Sequence, residues 1–145
     1  MNTQATLFNR QPVRQWHVYE SSDRWIRFVR RFAPEFVTGE DHVSIKAMGP
    51  ITADLHRRIK QSSVDSAAQR IVLWHVHRDN APHAAAAIAQ SRVLRSADVH
   101  VAAIGDLSTA GQMALSELGV NVLIRRPEQL PMLRKMVRLH YAVRK

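Results

Sequence analysis

The chain has 145 residues, a length typical of one domain, and its 46% hydrophobic and 23% charged residues exclude a largely disordered protein. It has no cysteine, which excludes thiol chemistry. It also has no apolar run near the roughly 20 residues that span a bilayer and no apolar core of a secretory signal, so we expect a cytoplasmic protein without membrane contact. Lys and Arg number 21 against 12 Asp and Glu, and this net charge of +9 favours a nucleic acid or an acidic protein as partner.

The first half of the chain predicts a tail, two strands and two helices. Residues 1–12 are polar and unpatterned, so we expect a short tail followed by a single domain over 13–145. The elements that follow are a strand over Arg14–Glu20, a helix from Arg24 to Ala33 capped by Ser21, Ser22 or Asp23, a weak strand within His42–Met48, and a helix that Gly49-Pro50 opens. The first helix has a helically spaced apolar stripe of Trp25, Phe28, Val29 and Phe32.

The second half alternates short apolar runs with helical patterns. The runs Ile71–Val76, Val99–Ile104 and Val120–Ile124 are typical of strands covered on both faces. Helices are predicted over His83–Ser96, from a cap at Ser108 or Thr109 to Leu118, and after Pro127. Strands alternating with helices predict an α/β three-layer sandwich with a five-stranded parallel sheet in the flavodoxin-like order 2-1-3-4-5.

The residues that follow the predicted strands give this pattern a family resemblance. Glu20-Ser21 follow the first strand, His75 ends the third, Ile104-Gly105 end the fourth, and Arg126-Pro127 follow the fifth. In this arrangement the chain resembles the receiver domain of bacterial response regulators. The resemblance implies a phosphoacceptor aspartate at the end of the third strand, an acidic pair after the first, a hydroxyl residue at the end of the fourth, and Lys-Pro at the end of the fifth.

The chain departs from that pattern at each chemical position. His75 has no carboxylate to accept a phosphoryl group, Glu20 is all that remains of the acidic pair, and Ile104 has no hydroxyl. Arg126 keeps a positive charge in a different geometry. The sequence therefore predicts a degenerate receiver pocket of Glu20, Ser21, His75, Ile104 and Arg126, in which Glu20 and Arg126 form a buried ion pair. Asp79 is the rival acceptor.

Histidines near the third strand raise the question of a metal site. His75 and His77 share a face if the strand continues that far, Asp79 and His83 follow, and His100 lies on the neighbouring strand. An H-x-H pair without a fixed third ligand is more often a hydrogen-bonding cluster, so we predict no metal and no cofactor. No glycine-rich phosphate loop and no nucleophile-elbow motif is present.

Two clusters of basic residues lie far apart in the sequence. In the predicted strand order the first and last helices share one side of the sheet, so the clusters should form one surface, which we call the basic face. Its residues are Arg24, Arg27, Arg30, Arg31, Arg134, Lys135 and Arg138. Few acidic residues accompany them, and such a surface favours a polyanion or an acidic protein.

These features predict a non-catalytic pseudo-receiver that acts in signalling or regulation through a protein partner. One alternative is a nucleic-acid-associated protein that contacts phosphates through the basic face. Another is a small-ligand sensor or enzyme at the C-terminal edge of the sheet, formed by Glu20, His75 and Arg126. An apolar patch of Leu115, Leu118, Met132 and Met136 would allow a homodimer.

Overall fold

Five parallel strands form the sheet of this protein, in the order β2-β1-β3-β4-β5. The computed structural model describes residues 13–37, 42–62 and 68–142. The strands are β1 (Arg14–Tyr19), β2 (Val43–Gly49), β3 (Gln69–Val76), β4 (Val99–Ile104) and β5 (Val122–Ile124). The predicted α/β class and strand order are confirmed. The predicted tail over residues 1–12, and Arg144 and Lys145 at the end of the chain, lie outside the described residues.

Helices cover both faces of the sheet. They are α1 (Arg24–Phe32), α2 (Leu55–Gln61), α3 (Ala81–Leu94), α4 (Thr109–Glu117) and α5 (Arg134–Ala142), with 3₁₀ segments at Ala33–Phe36 and Pro127–Leu133. One core, with Trp16, Trp25 and Leu130, joins the sheet to α1, α5 and the 3₁₀ segments. A second core, with Trp74, Ile88 and Leu115, joins it to α2, α3 and α4. No described helix is long and apolar enough to cross a membrane.

The helix that was predicted directly after Pro127 begins later, at Arg134. Pro131 lies inside the segment and has no backbone N–H to donate, so residues 127–133 form a 3₁₀ segment instead of an α-helix. Leu130 and Leu133 of this segment are nevertheless buried, as the apolar spacing predicted.

The last strand is shorter than predicted because Val120 is hydrogen-bonded back to the last turn of α4. The Val120 N–H donates to the carbonyl of Leu115 at 3.2 Å. Gly119 before it has a φ of +95°, which glycine adopts without the strain of a side chain. The predicted stop at Gly119 is therefore confirmed, and β5 starts only at Val122.

Candidate functional site

The C-terminal ends of the strands bring Glu20 and His75 to one edge of the sheet. Glu20 follows β1 directly, and His75 is the last residue but one of β3, where it pairs in register with Ala103 of β4. Open α/β sheets commonly bind their ligands at this edge. The residue types found here determine which receiver chemistry the edge can support.

The Glu20 carboxylate is buried, and both of its oxygens accept hydrogen bonds from the start of α1. One oxygen, Oε1, accepts the Ile26 N–H at 2.8 Å, and Oε2 accepts the Trp25 N–H at 3.1 Å and the Ser22 hydroxyl at 3.3 Å. These are backbone donors of the first helical turn, which have no partner within the helix. The sequence predicted a cap from Ser21, Ser22 or Asp23. The Ser22 hydroxyl accepts the Arg24 N–H at 3.5 Å, whereas Asp23 makes no side-chain capping bond. Glu20 caps the next two amides from outside the helix.

His75 lies beside aromatic rings, and its side chain is half-buried. Its ring centroid is 6.4 Å from that of Trp25 and 5.5 Å from that of His77. Burial lowers the pKa of His75, the neighbouring His77 lowers it further, and the nearby Glu20 charge opposes both effects. His75 is therefore held toward its neutral form beside the capped carboxylate.

Asp79 lies away from the strand end. It is exposed in the turn between β3 and α3. The Asn80 side chain fixes this turn: its Nδ2 donates to the His75 carbonyl at 3.0 Å, and its Oδ1 accepts the His77 N–H at 2.9 Å. Between the two candidate positions, the structure therefore places His75, and not Asp79, at the end of β3.

The other predicted pocket residues do not join this pair. Ser21 and Arg126 are exposed, whereas Ile104 is buried in the core. The predicted buried ion pair of Glu20 with Arg126 is wrong, because Arg126 lies at the surface and the described residues contain no ion pair between them. The carboxylate accepts hydrogen bonds from two backbone amides of α1 and from Ser22 instead.

His75 and His77 lie side by side, but His100 lies apart from them on the other face of the sheet. Among residues 13–37, 42–62 and 68–142, no group of three or more His, Asp or Glu side chains is placed to hold a metal ion. His100 is fully buried on the α3 side of the sheet, where its Nδ1 accepts the Trp74 indole N–H at 3.0 Å. Trp74 in turn stacks on Tyr19 with 4.4 Å between centroids.

The basic face lies on the side of the sheet that α1 and α5 cover, and all seven of its side chains are exposed. The two helices meet through their flanking 3₁₀ segments, since Arg134 reaches Glu35 at 3.4 Å and Arg138 donates to the Glu35 carbonyl at 3.1 Å. Arg27 pairs with Asp23 at 2.8 Å. These two ion pairs offset part of the charge of the basic face.

The apolar patch predicted for a homodimer divides between the core and the surface. Leu115 is buried, and Leu118 and Met136 pack against the core, so these three do not form an outer surface. Met132 is 74% exposed, and Leu139, which the sequence analysis did not single out, is 62% exposed. Both line a shallow groove along α5.

The fold resembles that of a solved structure, a CheY-like protein, TadZ, from Pseudomonas aeruginosa PAO1. The two chains superpose with a TM-score of 0.59 over 86% of this chain and 93% of that chain, at 15% sequence identity. The chain has a receiver-like fold. No protein-family model and no curated protein matches the sequence. At this identity the likeness establishes the fold alone, so the function has to be argued from the side chains on it.

The capping role of Glu20 is testable by unfolding. We expect Glu20→Ala to lower the free energy of unfolding by about 2 kcal/mol, because two buried N–H groups of α1 lose their acceptor. Asp23→Ala removes an exposed ion pair with Arg27 and should change the free energy of unfolding by less than about 0.5 kcal/mol. Urea unfolding measures both variants, and equal losses would contradict the capping role.

The buried His100 makes the receiver-like fold sensitive to acid. Burial first, and Arg92 second, lower the pKa of His100 from 6.5 to about 4. The contribution of His100 to the free energy of unfolding is therefore fully present above pH 6.5 and is lost as the pH falls toward 4. The reason is that the unfolded chain binds a proton at this residue that the folded chain does not bind. The slope is at most about 1.4 kcal/mol per pH unit for one such group.

Substitution of His100 should remove part of that pH dependence. In His100→Asn the amide oxygen replaces Nδ1 as the acceptor for Trp74, and the side chain no longer titrates. Urea unfolding at pH 6.5 and near pH 4 measures the loss of unfolding free energy between the two pH values, and this loss should be smaller for the variant than for the wild type. The exposed His83 provides the matched control, His83→Asn, which should leave the difference unchanged.

Proposed function

We propose that this receiver-like domain is a non-catalytic signalling or regulatory module of the cytoplasm that works through contact with a protein partner and is not phosphorylated on aspartate. The observation that supports the proposal is the position of His75, an imidazole, as the last residue but one of β3, near the strand end where the receiver resemblance implies an acceptor carboxylate. An imidazole cannot form an aspartyl phosphate.

The surrounding groups support the same conclusion. Phosphoryl transfer to a carboxylate requires a divalent cation held by oxygen ligands and a cationic group on the transferred phosphoryl. Glu20 directs both oxygens to α1, and a magnesium ion would have to compete with its two backbone donors. Arg126, which follows β5, is exposed and does not pair with Glu20. The parts needed for the reaction are thus absent or already engaged among the described residues.

Labelling with acetyl phosphate and Mg²⁺ tests the loss of phosphorylation. We expect the intact mass of the wild type to stay unchanged, while a functional receiver domain in the same tube gains a phosphoryl group. Asp79→Asn is the matched variant, because Asp79 is the exposed carboxylate nearest the end of β3 in sequence. A phosphoryl group on the wild type that disappears in Asp79→Asn would overturn the proposal.

The basic face is the surface that we assign to the partner. Its seven cations are accompanied by two carboxylates, Asp23 and Glu35, which leaves a net excess of five positive charges. Arg24, Arg30 and Lys135 have no carboxylate partner among the described side chains. Complementary charge mainly accelerates association and selects the partner, and an acidic protein surface fits this requirement.

Nucleic acid is the second candidate partner, favoured by the same excess of positive charge. Base stacking has little support, because Trp25 is buried in the core and Phe28 and Phe32 pack against it. Contact would therefore be limited to the phosphates, with an affinity that falls steeply as salt increases.

Charge reversal separates the two partner classes. We expect in-cell crosslinks from the basic face to reach a protein, and the double variant Arg30→Glu/Lys135→Glu to lose them. The control Arg57→Glu/Lys60→Glu makes the same charge change on α2, across the sheet, and should keep them. Salt-sensitive binding to duplex DNA that only the first variant loses would replace the protein partner with nucleic acid.

A further inference from the structure

A cavity of about 380 Å³ lies between the sheet and helices α2 and α3. Side chains of β1, β2 and β3 form its floor. It is on the side of the sheet opposite the basic face, and none of Glu20, Ser21, His75, Ile104 or Arg126 lines it. Volumes of this order are typical of sites for small molecules.

The floor of the cavity is polar where the fold predicts apolar residues. β1 is covered on both faces, and the side chains that face α1 include Trp16 and Val18. On the cavity side the alternate positions are Gln15, His17 and Tyr19. The polar side chains of this alternating strand therefore face a cavity and not bulk solvent.

The lining is strongly positive. Lys46, Arg58, Arg70 and Arg95 line the cavity, and no carboxylate is among its described lining residues. Asp98 lies close by and bridges Arg70 at 3.8 Å and Arg95 at 3.2 Å. One carboxylate thus balances part of the charge of two guanidinium groups.

Helix ends reduce this charge without cancelling it. The C-terminal ends of α2 and α3 line the cavity through Ser62 and Leu94, and each helix end carries about half a negative charge. The exposed Asp54 also pairs with Arg58 at 3.7 Å. Together with Asp98 and Asp54, the helix ends leave an excess of about one positive charge. The environment of His17 agrees with this sign. Burial first, and then the cations Arg70, Lys46 and Arg95, lower the pKa of His17 to about 4.

Two polar atoms of the lining have no partner among the described residues. Arg95 Nη1 is buried in a side chain that is only 10% exposed, and none of the described residues supplies it with an acceptor. His17 Nε2 is likewise buried and has no partner among them. Buried polar atoms of this kind are nearly always satisfied, and a guanidinium donor needs an anionic or carbonyl oxygen.

We infer that this cavity is a binding site for a small organic phosphate. Guanidinium and ammonium groups suit phosphate oxygens, which would also supply the acceptor that Arg95 Nη1 lacks. Met48, Leu55 and Val72 form apolar parts of the lining and Tyr19 adds an aromatic ring, so the ligand carries an apolar or aromatic group beside its phosphate. The site is independent of the proposed phosphorylation state and of the basic face.

Phenyl phosphate is the probe that tests this site. Its addition at constant ionic strength should shift the NMR resonances of the His17 and Tyr19 rings in a saturable manner. It should bind more tightly than inorganic phosphate, which lacks the ring, and more tightly than benzoate, which lacks the phosphate. A lack of saturable shifts would overturn the proposal, and equal affinity for the three probes would contradict the assigned ligand class.

Two neighbouring arginines of α2 provide a matched pair of variants. Arg58 lines the cavity, whereas Arg57 does not, and both are exposed enough to be replaced without disturbing the core. We expect Arg58→Glu to weaken phenyl phosphate binding about tenfold or more, the effect of one lost charged contact. Arg57→Glu should change the affinity for phenyl phosphate by less than about twofold. An equal loss of affinity in both variants would mean that the arginines attract the anion only nonspecifically, and would contradict the proposed site. Lys46→Glu, on the exposed edge strand, should behave as Arg58→Glu does.

Discussion

A parallel sheet covered by helices on both faces leaves little room for a polar side chain that has no partner. Most inward positions of β3 and β4 meet this requirement with apolar residues, and Trp16, Trp25 and Trp74 fill the two cores. His100 meets it in part, because its Nδ1 accepts the Trp74 indole N–H, whereas its buried Nε2 has no partner among the described residues. Two exceptions among the described residues, His17 Nε2 and Arg95 Nη1, belong to side chains that line the cavity.

The use of Glu20 as a helix cap connects the fold to the proposed loss of chemistry. A carboxylate after the first strand of a receiver-like fold is in position to hold a cation, but here the backbone of α1 occupies both of its oxygens. This arrangement stabilises the start of α1 and reduces the capacity of the carboxylate to bind an ion. The residue remains in place while its interactions serve structure, which is consistent with a domain that signals by contact.

The sequence was sufficient to predict the strand order, because apolar runs such as Val99–Ile104 and helical stripes such as that of α1 are local signals. It also placed Glu20 and His75 at the correct edge. It did not predict that Glu20 would cap α1 in place of pairing with Arg126, since this depends on loop geometry. The cavity was missed because its lining comes from five elements. The polar alternation of Gln15, His17 and Tyr19 on a covered strand was the available signal.

The stacked pair of Tyr19 and Trp74 has a practical consequence. Tyr19 borders the cavity, and Trp74 lies behind it in contact with His100, so a single indole senses both the cavity wall and a titrating imidazole. The other two tryptophans, Trp16 and Trp25, lie in the core on the far side of the sheet. Trp74 is thus an intrinsic fluorophore on the cavity side of the sheet, whereas Trp16 and Trp25 are the fluorophores of the other side.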